Sequence, residues 1–92
     1  MDDKQLAILR AVITLENRKQ NAGSVPNEDR IMKFAKRDLT QRGLICSSIL
    51  LSVAFERVVH NKYLLPEKIP YDTIYTLSDE ARKIATRLEF NG

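Results

Sequence analysis

The chain has 92 residues, a formal net charge of +3 and a sequence pI of about 9.2. This length predicts one domain spanning residues 1–92, and the single cysteine, Cys46, excludes an intrachain disulfide. No apolar stretch approaches the ~20 residues that a bilayer span needs, and no basic region precedes an apolar run at the start. We therefore expect a soluble, cytoplasmic protein with no membrane partner.

The first predicted helix runs from Asp2 to about Lys19. Its apolar side chains, placed at helical steps, cover about half of the circumference. They are Leu6, Ile8, Leu9, Val12, Ile13 and Leu15. One interpretation is a central core helix, and the other is that part of this face is buried in a dimer. The second interpretation predicts a homodimer through the first and last helices.

The second predicted helix follows a loop from Gln20 to Pro26. Asn27 is a favourable cap and two carboxylates occupy the first turn, which is a strong signal for a helix start. The helix continues to about Thr40. Its predicted core residues are Ile31, Phe34, Ala35 and Leu39. Gly43 then ends the segment as a cap or turn residue.

The third predicted helix is capped by Ser47 and continues to about Asn61. Two strands follow, Tyr63–Leu65 and Thr73–Leu77, and the residues between them, Pro66–Pro70, form the predicted hairpin tip. Neither proline can donate a ladder hydrogen bond, so both are expected outside the paired strands.

The last predicted helix runs from Asp79 to about Glu89, with Ser78 as its cap. Two carboxylates in its first turn suit the positive end of the helix dipole. A narrow apolar stripe faces the core, formed by Ala81, Ile84, Ala85 and Leu88.

Two phrases resemble junctions of winged-helix domains. Residues 75–85, which begin Tyr-Thr-Leu-Ser, resemble the "Tyr-x-Leu-Thr-x-x-Gly-x-x-x-Ala" ending, in which the second wing strand enters a last helix. Residues 54–65 resemble the "Leu-x-x-Leu-x-x-x-Gly-Tyr-Leu" junction from the recognition helix to the first wing strand. The chain departs from the family at three glycines, which are Ile45, Lys62 and Ala81 here.

This resemblance covers roughly residues 27–88 and is nearest in style to small MarR- and PadR-type regulators. It implies a mainly α fold with a small β-hairpin (α+β), a winged helix-turn-helix in the order helix-helix-helix-strand-strand-helix. It further implies a small DNA-binding protein, a transcriptional regulator that uses the third helix and the wing on duplex DNA. The positions that match DNA contacts are Arg42, Ser47, Ser48, Ser52, Arg57, Lys62 and Lys68.

The outward side of the third helix favours an alternative function. Ile49, Leu50 and Val53 point largely away from the face that packs on the domain, and Glu56 lies among them. Major-groove readers usually present polar or basic side chains, because base edges are hydrogen-bond donors and acceptors. An outward apolar surface is better explained by a protein partner. The alternative is therefore a winged-helix protein-interaction module.

Catalysis has little support in the sequence. His60 is the only histidine, and it lies fourteen residues from Cys46. On one helix that separation is about four turns, too far for a nucleophile to contact its base. The sequence also lacks paired carboxylates, a glycine-rich phosphate loop and Cys/His metal spacing. We expect a protein that is not an enzyme and has neither cofactor nor metal.

Overall fold

A computed structural model describes residues 1–18 and 25–91, with side chains described as far as Arg87. The elements are α1 (Asp3–Glu16), α2 (Glu28–Gln41), α3 (Ser48–His60), β1 (Leu64–Ile69), β2 (Asp72–Leu77) and α4 (Asp79–Asn91). The prediction of a mainly helical chain with a small antiparallel hairpin is confirmed, and so is the order of the elements. Lys19, most of the loop from Gln20, and the side chain of Leu88 lie outside the described residues.

Each helix begins at a side chain that accepts a hydrogen bond from the backbone N–H three residues later. The distances to these N–H groups are 2.9 Å for Asp2 and Asn27, and 3.2 Å for Ser47 and Ser78. Such caps satisfy N–H groups that have no partner inside the helix. The caps fix the start of every helix close to where the sequence predicts it.

Helix α1 is the centre of the core and packs against α2, α3, α4 and β2. Its buried residues are Ala7, Ile8, Leu9, Ala11, Val12, Ile13 and Leu15, and none is more than 9% exposed. The rest of the core comes from Ile31, Ala35, Leu39, Leu51, Ala54, Phe55, Val58, Leu64, Leu77, Ala81 and Ala85. The chain itself therefore covers the wide apolar face of α1. A homodimer through α1 and α4 stays a prediction.

Helix α2 ends in a Schellman motif, in which two backbone N–H groups beyond the helix satisfy its last carbonyls. Gly43 donates to the carbonyl of Thr40 at 3.0 Å, and Leu44 donates to that of Leu39 at 2.9 Å. Gly43 has a φ of 76°, whereas Ile45 keeps a negative φ. The left-handed residue of this turn is therefore Gly43, two residues before Ile45.

Helix α3 ends in the same way. Lys62 donates to the carbonyl of Val59 at 3.0 Å, and Tyr63 donates to that of Val58 at 2.9 Å. Lys62 has a φ of 63°, a conformation that non-glycine residues adopt at a cost. The turn leads directly into β1.

The hairpin is longer than the sequence predicts. Strand β1 continues to Ile69, which pairs with Asp72, so the tip consists of Pro70 and Tyr71 alone. The prediction that residues 66–70 form the tip is wrong.

The position of Pro66 explains this difference. Pro66 pairs with Tyr75, whose N–H turns away from β1 and donates to the carbonyl of Pro26 at 3.0 Å. In such a non-hydrogen-bonded pair, the backbone nitrogen of Pro66 faces the outer edge of β1. A proline is tolerated there because no ladder bond needs its missing N–H.

The hairpin is attached to the start of α2. Asn27 forms an isolated antiparallel bridge with Ile74, and its side-chain amide donates to Asp72 at 2.8 Å. The Tyr75 ring meets the Phe55 ring edge-on, with 5.0 Å between centroids. These contacts place the hairpin beside α3. Over the described ranges 1–18 and 25–91, every helix is too short or too polar to cross a membrane.

Candidate functional site

Helix α3 has one buried face and one exposed apolar face. Leu51, Ala54, Phe55 and Val58 are at most 3% exposed. On the other side, the exposed fractions are 77% for Ile49, 53% for Leu50 and 42% for Val53. The prediction that these three side chains point away from the core is confirmed.

The turn before α3 extends this exposed surface. Ile45 is fully exposed and Leu44 is 39% exposed. We call Ile45, Ile49, Leu50 and Val53 the apolar patch. From the sequence, Ile45 is recognised only as a replacement for a glycine. A large apolar residue in a tight turn cannot reach the core. The replacement of glycine by isoleucine is therefore the feature of the sequence that could have indicated an exposed apolar side chain here.

The serines predicted to face a DNA groove have different surroundings. Ser47 caps α3 by accepting from the N–H of Leu50. Ser48 accepts a hydrogen bond from the ammonium of Lys36 at 3.3 Å. Ser52 is exposed on α3. Of the three, Ser52 is the one whose hydroxyl has no hydrogen bond within the described residues.

Of the cations predicted to contact DNA, Arg42 precedes α3, Arg57 lies in its last turn, Lys62 follows it and Lys68 lies on β1. Arg42 forms an ion pair with Asp38 at 3.3 Å, and the same carboxylate accepts from Arg10 at 2.7 Å. Arg42 is therefore ion-paired, but it shares the single negative charge of Asp38 with Arg10. The side chains of Arg57, Lys62 and Lys68 are exposed and form no ion pair among the residues that the structure describes.

Charge differs between the two sides of the apolar patch. Toward the start of α1, a groove beside Leu50 and Val53 is lined by Lys4 and Arg57, with Asp2. This side of the patch has an excess of positive charge.

On the other side, a groove between α3, α2 and β2 is lined by Glu28 and Glu56 together with His60 and Tyr75. Burial raises the pKa of the Tyr75 phenol, and the nearby carboxylates of Glu28 and Asp72 raise it further. Tyr75 therefore stays neutral at physiological pH. The carboxylates of Glu28 and Glu56 make this side of the patch acidic.

The site has no arrangement typical of catalysis. Within residues 1–18 and 25–87, no three His, Cys, Asp or Glu side chains cluster to form a metal site. Cys46 lies before the start of α3, where its thiol donates to the carbonyl of Ser47 at 3.3 Å, and His60 lies at the opposite end of the helix. The two side chains cannot act together.

In comparisons with known proteins, the chain matches no family model, no curated protein and no solved structure. The surface of α3 is therefore the basis for assigning a function.

Proposed function

We propose that the chain is a winged helix-turn-helix domain that binds a protein partner on the apolar patch. The order of α1, α2, α3, the hairpin and α4 supports the winged-helix assignment. The short turn between α2 and α3 and the bridge from Asn27 to Ile74 support it further. In this arrangement α3 takes the place of the recognition helix and the hairpin takes the place of the wing.

The exposure of the apolar patch is the observation that carries the proposal. Ile49 and Val53 lie one turn apart on the side of α3 opposite the core, and Ile45 stands in the turn before them. Burying apolar surface is worth ~25 cal/mol per Å² before the costs of association. Base edges are hydrogen-bond donors and acceptors, whereas the side chains of the apolar patch have no hydrogen-bonding group. Contact with base edges would therefore not bring this gain.

Glu56 supports the same conclusion. It lies three residues after Val53 on the outer face of α3 and is exposed. A carboxylate brought against a phosphate backbone would be repelled, whereas a protein partner can present a donor to it.

The charge beside the apolar patch indicates the kind of partner. Lys4 and Arg57 line the groove next to Leu50 and Val53. A complementary surface has apolar side chains in its centre and carboxylates along this border. The partner we propose is therefore a protein helix with an apolar face and with acidic residues along the side that meets Lys4 and Arg57. Amphipathic helices bind grooves through such an apolar face.

The test is selection from a displayed library of helical segments, performed with the native chain and with Val53→Asp. Ser52→Ala is the matched control, because Ser52 is exposed on the same helix and lies outside the apolar patch. We expect segments that bind the native chain and the control but lose binding to Val53→Asp by at least tenfold. Their apolar face should have acidic neighbours. Selected segments that bind all three proteins equally would contradict the proposal.

Duplex DNA is the second candidate, and we keep it because exposed cations lie along one end of α3 and on the wing. These are Arg57, Lys62 and Lys68. As a transcriptional regulator, the chain would read bases with α3 and touch phosphates with Lys68. Phosphate contacts make binding salt-dependent and sequence-independent, whereas base contacts give specificity.

A gel-shift series across salt concentrations separates the two candidates. If α3 reads DNA, Lys68→Ala weakens binding to all sequences and flattens the salt dependence, while Ser52→Ala relaxes the sequence preference. Strong duplex binding that survives Val53→Asp and loses specificity with Ser52→Ala would replace the protein-partner proposal with the DNA-binding one.

A further inference from the structure

Helices α1 and α2 lie side by side, and a groove of about 230 Å³ runs along the solvent side of their contact. Its charged lining consists of three arginines and one carboxylate: Arg10, Arg18, Arg37 and Asp38. Phe34 and Gln41 also line the groove. The groove is formed by elements other than α3, so it is separate from the apolar patch.

The one carboxylate of the groove is already occupied. Asp38 accepts from Arg10 through two nitrogen atoms, at 2.7 and 3.1 Å, and also from Arg42 at 3.3 Å. The side chain of Arg10 is only 13% exposed, so this contact holds it firmly against the groove wall. Asp38 therefore has no remaining charge with which to neutralise the other two arginines.

Those two arginines are held by an aromatic ring instead. The guanidinium carbon of Arg18 lies 5.1 Å from the centroid of the Phe34 ring, and that of Arg37 lies 5.6 Å from it. Stacking on the ring orients both groups, but it neutralises neither charge. Neither forms an ion pair in the described part of the chain, and residues 19–24, which follow Arg18, contain no carboxylate.

We infer that this groove is a binding site for a small molecule with a phosphate monoester group. A dianion matches the two uncompensated arginines, and planar guanidinium groups bind phosphate oxygens with paired hydrogen bonds. The Gln41 amide can donate to a further oxygen. A concave groove of this size suits a small ligand better than a duplex, whose backbone phosphates are reached by protruding side chains.

The test uses the intact chain at constant ionic strength with three probes: phenyl phosphate, dimethyl phosphate and chloride. Phenyl phosphate has a dianionic monoester group, whereas dimethyl phosphate is a monoanionic diester like those of nucleic acids. We expect phenyl phosphate to bind in calorimetry and to raise the melting temperature. Amide NMR signals of α1 and α2 should shift during this titration, and those of α4 should not.

Arg18→Gln and Arg37→Gln should each weaken phenyl phosphate binding by about tenfold, the scale of one lost hydrogen bond between charged groups. Arg87→Gln is the matched control, because it removes the same charge from an exposed position on α4. An equal loss in all three variants would overturn the inference, since it would indicate a general charge effect. Equal binding of dimethyl phosphate or chloride, or NMR shifts without preference for α1 and α2, would also overturn it.

Discussion

Gly43 and Lys62 occupy equivalent positions in two successive helix-ending motifs, although only one of them is a glycine. Each donates its N–H to a carbonyl three residues earlier, and each has a φ in the left-handed region, 76° for Gly43 and 63° for Lys62. A side chain at such a position crowds the following carbonyl oxygen, and the cost is roughly 1–2 kcal/mol. The backbone at Lys62 is therefore strained, whereas the backbone at Gly43 is not.

Replacing Lys62 by glycine should stabilise the chain. We expect Lys62→Gly to raise the free energy of unfolding by about 1 kcal/mol, after allowing for the greater freedom of glycine in the unfolded chain. Urea unfolding followed by circular dichroism measures this change. Gly43→Ala is the reciprocal control and should lower stability by about 1 kcal/mol. A Cβ added at Gly43 meets no atom within 4 Å, so its effect comes from φ alone. A Lys62→Gly chain that is less stable than the native one would contradict the strain argument.

The Ser47 cap should contribute measurably to stability. Its hydroxyl accepts from the N–H of Leu50 at 3.2 Å. Ser47→Ala should lower the free energy of unfolding by about 1 kcal/mol, the usual value of a lost cap. Ser48→Ala, one residue further on, should change it by less than about 0.5 kcal/mol because that side chain is exposed. Thermal unfolding of both variants provides the comparison, and equal destabilisation would argue against the capping role.

The two faces of α3 should respond very differently to substitution. Val53 is 42% exposed, so Val53→Asp should change stability by no more than about 1 kcal/mol. Leu51 is 1% exposed, and Leu51→Ala should cost roughly 2–5 kcal/mol because it leaves a cavity. Chemical unfolding measures both. A large loss for Val53→Asp would mean that Val53 has a structural role, and its effect on partner binding would then no longer report docking.

Asp72 should give the chain an acid-dependent component of stability. The Asn27 amide, and then the N–H of Thr73, lower the pKa of this carboxyl below the ordinary 3.8. The folded pKa is thus lower than the unfolded one. The contribution is fully present above the unfolded pKa and is lost as the pH falls through the folded value.

Unfolding measurements over an acid pH series test this sign. The stability difference between the native chain and Asp72→Asn should be constant at neutral pH and should shrink below the ordinary pKa of 3.8. Asn27→Ser is the control background, because serine can still cap α2 but is too short to replace the amide contact. In that background the acid-dependent difference should be smaller. A difference that grows as the pH falls would reverse the assigned sign.

The sequence predicts local features of this fold well and distant ones poorly. Asn27, Ser47 and Ser78 could be recognised as caps because a cap and its N–H partner are three residues apart. The two faces of α3 followed from the helical period in the same way. By contrast, the carboxylate of Asp38 joins Arg10, 28 residues earlier, to Arg42. The spacing of four residues between Asp38 and Arg42 can be recognised in the sequence, but no local pattern indicates that Arg10 shares this carboxylate.

The strand boundary shows a second limit. Proline usually indicates that a strand has ended, and the sequence therefore predicts a hairpin tip that begins at Pro66. Whether a proline fits inside a strand depends on where its nitrogen points, which in turn depends on the pairing register. The register that joins Pro66 to Tyr75 turns this nitrogen outward. That information lies in the partner strand, not in the residues around the proline.

Pro66 also determines how the hairpin can meet other molecules. No segment in the described part of the chain pairs with the outer edge of β1. An open edge of this kind ordinarily invites a foreign strand, leading to β-augmentation or edge-to-edge aggregation. Here Pro66, in the middle of the outer edge, has no backbone N–H to donate. The next residue of β1 whose backbone N–H faces this edge is the charged Lys68. The hairpin is thus protected against the addition of a strand from another molecule.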